Sequence, residues 1–195
     1  MGATSSIPDE TIVVRTIAVI GAGDQGRALA AAAARAGFTV YLEDVMPAKL
    51  RHAQEALGDL AGVHYVSTVE DAVHDADLAI DFVPDELESK LEIVSLLDRM
   101  APPRTLLLIP TRALSITDLA SCTYRSAQCV GVKPGDPDAP YRTNLVSAPV
   151  EIIRSKFVTE AALRAAQAFF AAMAVGAEIV EDRLEPMLVK NQQNS

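Results

Sequence analysis

The chain has 195 residues, half of them hydrophobic, with aromatics at 5% and no Trp. That is enough for one well-cored domain and a short appendage, and a core of small aliphatics suits helices packed closely on a sheet. A net charge of −9 argues against nucleic acid or a membrane surface as partner, since both select a basic face. A local basic pocket is still compatible with it. The first dozen residues, MGATSSIPDETI, are polar and lack the apolar stretch of a secretory signal. No apolar run is long enough to cross a bilayer without charges or prolines, so a cytoplasmic protein is expected. Cys122 and Cys129 match neither a Cys-x-x-Cys nor a zinc spacing and read as reduced thiols, with no metal site.

In chain order, residues 1–14 read as a loose lead-in. Arg15–Ile20 is a short β-branched run ending in glycines, the pattern of a buried parallel strand. Asp24–Ala36 is an Ala-rich helix stopped by Gly37, and Phe38–Leu42 a second strand ending in Glu43-Asp44. Pro47–Leu60 reads as a helix with Pro at its start, and Val63–Val66 as a short strand. Thr68–His74 is a short helix with Thr68 as N-cap, followed by a buried strand over Asp77–Val83. Glu86–Met100 is an amphipathic helix, Thr105–Ile109 a strand, and Ile116–Ala120 a short helix after Ser115. Ala127–Val132 is a strand. Lys133–Pro140, with three prolines and a glycine, reads as a loop. Val146–Ile153 is a strand, Thr159–Val175 a helix and Ala177–Val180 a last strand, before a polar tail. Strands alternating with helices imply parallel pairing through right-handed crossovers. The expected fold is α/β, a doubly wound, mostly parallel sheet of the Rossmann type over residues 15–183, with 184–195 as a tail.

Gly21-Ala22-Gly23-Asp24-Gln25-Gly26 matches G-x-G-x-x-G. It follows a strand, opens a helix and has an acid about 18 residues past its last glycine, which is the context of a dinucleotide site. Gly21 allows the tight turn, Gly23 lets a diphosphate approach the backbone, and Gly26 lets the helix lie close on the sheet. The helix N-terminus offers N–H groups and partial positive charge to the phosphates. Asp44, at the end of the second strand, can accept hydrogen bonds from the adenosine ribose and would repel a 2′-phosphate, which favours NAD over NADP. Glu43 is the competing acid, on the opposite face of the strand.

Several segments resemble the NAD-binding domain of the L-3-hydroxyacyl-CoA dehydrogenase family: residues 17–26, 76–90, 114–119 and 181–183. The resemblance implies that Asp85 and Lys90, an acid and a lysine five residues on, contact the cofactor. It also implies hydride transfer at C3 of an acyl-CoA, with a His–Glu pair as base and orienter and a Ser and an Asn holding the substrate oxygen. The sequence departs there. Where the family has its functional serine stands Arg112, Lys133 replaces the catalytic histidine, Asp136 replaces the asparagine and is expected at the cofactor, and Leu145 or Ser147 falls where the glutamate would be. His52, His64 and His74 lie far from this loop in sequence and read as surface residues. The family's helical second domain, which builds much of its substrate cleft and dimer interface, would begin after residue 183.

Two readings stay open. In the first, Arg112 and Lys133 form a cationic patch for an anionic small-molecule substrate, with Lys133 as acid/base after burial beside Arg112. In the second, the chain is a non-catalytic NAD-binding module completed by a partner subunit, with Met187, Leu188 and Val189 as an interface. A homodimer is equally compatible, and 3-hydroxyacyl-CoA dehydrogenation of fatty-acid metabolism is a third function.

Overall fold

In the computed structural model, which describes residues 11–136, 138–140 and 143–188, the apolar runs form one eight-stranded sheet. The elements are β1 (Thr16–Ile20), α1 (Asp24–Arg35), β2 (Thr39–Glu43), α2 (Pro47–Leu57), β3 (Val63–Val66), α3 (Val69–Val73), β4 (Leu78–Asp81), α4 (Leu87–Met100), β5 (Leu106–Pro110), α5 (Ile116–Ser121), β6 (Cys129–Pro134), β7 (Val150–Arg154), α6 (Glu160–Ala172) and β8 (Ala177–Glu181). Their spatial order is β3-β2-β1-β4-β5-β6-β7-β8.

Local chemistry sets the element ends. Thr68, Ser115 and Thr159 accept the backbone N–H of Asp71, Asp118 and Ala162, as N-caps should. Pro47 opens α2, where its missing N–H costs nothing. Alternate strand residues then sort into two cores. Ile17, Val19, Val40, Leu42, Leu78 and Ile80 pack with α1, α2 and α6. Ala18, Ile20, Ala79, Leu107 and Ile109 pack with α3, α4 and α5. Both faces are covered, which is why the strands read as continuous apolar runs. No described helix is long and apolar enough to cross a membrane.

The sheet departs from the expected pairing at one place. Strands β1 to β6 are parallel to one another, but β7 runs antiparallel to β6, and β8 is parallel to β7. Among the described residues no helix separates β6 from β7, so the chain can turn back without crossing the sheet. The same pairing corrects the loop expected over 133–140. Lys133 and Pro134 extend β6 by pairing with Glu151 and Val150, and Pro134 sits at the strand end. The strand expected from Val146 begins only at Val150. Residues 1–10 of the lead-in and 189–195 of the tail lie outside the described residues.

Candidate functional site

The C-terminal ends of the parallel strands converge on a cleft of about 860 Å³. It opens at the switch point between β1 and β4, where the strand order reverses and doubly wound sheets bind their ligands. Gly23, Asp24, Gln25 and Gly26 line one end. Asp85, Lys90, Arg112, Lys133 and Leu145 line the other.

The glycine loop has the shape its spacing implies. Gly21 sits at φ +104°, a conformation that side-chain-bearing residues rarely adopt. A Cβ on Gly26 would lie 1.8 Å from the Gly21 carbonyl oxygen, so only glycine lets α1 start so close to β1. A Cβ on Gly23 would meet nothing within 4 Å, which leaves open space in front of the α1 N-terminus. Gly23 is the N-cap and has no side chain to close that helix end, so its first turn is open to an anion.

Asp44 follows β2 and is 5% exposed. One carboxylate oxygen accepts the Ala22 N–H at 3.0 Å and the other the Met46 N–H at 2.9 Å, which ties the glycine loop to the end of β2. The Lys49 ammonium lies 3.5 Å from it. A carboxylate has about four lone-pair sites, so capacity remains for a ribose hydroxyl. Glu43 lies one residue earlier, on the sheet face where Tyr41 packs. Burial, with Asp44 beside it, pushes its carboxyl up to about 7 against the pull of Lys49. The protonated form is therefore the stabilising one. Its contribution is full below about pH 4.5 and is lost as the pH rises through about 7. Urea denaturation should show parent stability falling between about pH 5 and about pH 7.5, and a Glu43→Gln variant should lack that part of the fall. Equal slopes would show that Glu43 does not titrate there.

At the other end, Asp85 does not reach outward. Its carboxylate accepts the backbone N–H groups of Arg112 at 2.7 Å and Ala113 at 3.2 Å, so the loop after β4 holds the loop after β5. Lys90 is not a solvated lysine. Its ammonium lies 2.5 Å from Asp81, with side chains 1% and 0% exposed. Desolvation raises the Asp81 carboxyl above the usual carboxylate range, against the opposing pull of Lys90. The pair carries no net charge whichever partner holds the proton. Asp81 escaped the sequence reading, although an acid inside the apolar run of β4 was a visible demand for a buried cation.

Arg112 extends its guanidinium to the Ala139 carbonyl at 2.7 Å, and its buried Nη2 has no partner among the described residues. Lys133 is corrected. It is not a base buried beside Arg112 but an ion pair with Glu151 at 3.0 Å, one third exposed, because the antiparallel register sets the two side by side. Asp136 is corrected as well. It is exposed, lines a separate concavity near Gly176 and Glu178, and accepts the Asp138 N–H. Leu145 is buried and lines the cleft, whereas Ser147 is exposed and lies outside the lining. All three histidines are exposed and lie outside the cleft lining. Met187 is exposed, but the backbone N–H groups of Met187 and Leu188 are held by Asp118; Val189 lies outside the described residues. Cys122 and Cys129 are free thiols, and burial pushes the Cys129 thiol up to about 11.

Comparison with known proteins agrees with this geometry. Residues 58–182 match the family described as 3-hydroxyacyl-CoA dehydrogenase, NAD binding domain. The chain belongs to that family. Residues 16–91 also match the family described as NADP oxidoreductase, coenzyme F420-dependent. The probable 3-hydroxybutyryl-CoA dehydrogenase of Bacillus subtilis is 31% identical over 75% of this chain and 55% of its own length. The 5-formyl-3-hydroxy-2-methylpyridine 4-carboxylate 5-dehydrogenase of Mesorhizobium japonicum is 29% identical over 64% of this chain and 46% of its own. A solved NAD+-dependent dismutase with the latter activity superposes with a TM-score of 0.76 at 23% identity, over 93% of this chain and 62% of its own. The chain thus spans about half the length of the curated relatives it matches. As a 3-hydroxyacyl-CoA dehydrogenase-type domain it binds NAD, and the loop and cleft fit that ligand.

Proposed function

We propose that this NAD-binding domain serves a cytoplasmic dehydrogenase that moves hydride between NAD and the CH–OH or carbonyl carbon of a small anionic substrate. The observation that carries this reading is the Arg112 guanidinium in the cleft lining, at a position where the resemblance expects an uncharged serine. The Arg112 backbone is held by Asp85, and its guanidinium has a buried donor with no partner among the described residues, which suits a carboxylate or phosphate. A relative named for a carboxylated pyridine substrate favours the same class. In this reading Gly21, Ala22, Gly23, Asp24, Gln25 and Gly26 cradle the diphosphate, and Asp44 takes the adenosine ribose. Lys90 faces the nicotinamide half of NAD, and Asp85 acts through the loop it holds. When bound, the cofactor would give hydride to the carbonyl carbon as NADH or take it from the CH–OH carbon as NAD+, with the hydroxyl proton exchanged with water. Arg112 orients the substrate anion, and Lys133 lies in the same lining with its charge balanced by Glu151.

NADH oxidation by the full chain should occur with some small carbonyl acid. Arg112→Ala should raise KM by about tenfold or more with a smaller change in kcat, the signature of lost ground-state binding. A broad panel of such acids giving NADH binding but no turnover would sink the enzyme reading. It would favour a non-catalytic NAD module completed by a partner subunit or a second copy, which the exposed histidines and the Lys133–Glu151 pair also favour. Turnover confined to 3-hydroxyacyl-CoA would instead point to fatty-acid metabolism.

A further inference from the structure

We infer that Arg27 is a ligand of the NAD diphosphate, and that the Asp24 carboxylate stands in for the phosphates until NAD arrives. The inference rests on the NAD reading of the cleft and adds a residue to it. Arg27 lies in the first turn of the 12-residue helix α1. A cation there is on the wrong end of the helix dipole, so its placement costs stability unless an anion shares the site. Two interactions hold it. One guanidinium nitrogen donates to the Ala22 carbonyl at 2.9 Å, the other to Asp24 at 2.5 Å. The side chain is thereby folded back along the glycine loop, 16% exposed, in the lining of the cleft beside Gly23.

The two partners differ. Ala22 is backbone, fixed to β2 through Asp44, whereas the Asp24 side chain is 80% exposed and can swing into water. A diphosphate approaching over Gly23 brings like charge against Asp24 and opposite charge to Arg27. The outcome is an exchange: Asp24 leaves, and a phosphate oxygen takes its place on a guanidinium already held in position by Ala22. Guanidinium donors suit phosphate for the same reason they suit carboxylate, through parallel N–H bonds. Asp24 therefore opposes cofactor binding through its side chain, although its backbone N–H belongs to the cradle.

Calorimetric titration of the full chain with NADH and with ADP-ribose, which share the diphosphate, tests this. Arg27→Gln should weaken both ligands about tenfold, the scale of one charge-assisted contact. Asp24→Asn should strengthen both several-fold, and by clearly less on top of Arg27→Gln, where only the direct repulsion remains to be relieved. Opposite signs from the two members of one ion pair are the diagnostic, since loss of a structural pair would weaken both variants alike. Unchanged affinity in Arg27→Gln, or weaker binding in Asp24→Asn with thermal melting like the parent, would overturn the inference. Failure of the parent itself to bind either ligand would overturn the NAD reading along with it.

Discussion

Gly26→Ala is expected to abolish measurable NAD binding and to lower Tm by about 5–10 °C, from an overpacking cost of about 2–3 kcal/mol. The added Cβ would stand 1.8 Å from the Gly21 carbonyl, a backbone atom that cannot rotate aside. Helix α1 must then lift from the sheet, carrying the open first turn away from the loop that Asp44 holds. Gly23→Ala is the contrast. Its Cβ meets nothing within 4 Å, so the protein should melt like the parent while the methyl group obstructs the diphosphate. Scanning calorimetry with NADH titration separates the two. A Gly26→Ala protein that binds NADH normally would show that the close approach of α1 and β1 is not what builds the site.

Lys90→Met should be the most destabilising single change in the cleft, by about 3–5 kcal/mol near neutral pH, because it leaves the Asp81 carboxyl buried without its partner. The loss depends on pH in a defined direction. Without the ammonium, the folded Asp81 carboxyl rises further above its unfolded value near 3.9. The variant is then least impaired below about pH 4, where Asp81 is protonated in both states, and loses stability as the pH rises. Adding Asp81→Leu should recover most of the neutral-pH loss by replacing an unpaired polar group with an apolar one. Denaturation across about pH 4–8 would read both effects. A pH-independent loss would mean that Asp81 is not the group left stranded.

The shape of the glycine loop was legible because it is local. Gly21, Gly23 and Gly26 act on one another across six residues, and a strand of period two followed by a helix of period 3.6 marks where they sit. Asp44 followed from its place at the end of β2. The substrate half was less legible because its contacts are set by register between distant segments. Nothing in the local pattern around Lys133 announces Glu151; the two meet because β7 runs antiparallel to β6. The turn over Gly135 and Asp136 follows from the same pairing and carries Asp136 out of the cleft. Lys90 and Asp81 are intermediate. Their nine-residue separation spans a turn between strand and helix, and only the burial of α4 against β4 decides that they touch.

The reversed direction of β7 has a consequence for how such a cleft can diversify. The cofactor end is framed by short turns between parallel strands, where one added carbon displaces a helix. The far wall is framed by the connection from Gly135 to Pro149, which returns to its neighbour without traversing the sheet. A change in its length would leave the strand order and the glycine loop as they are. The two ends of the cleft are thus built from separate stretches of chain.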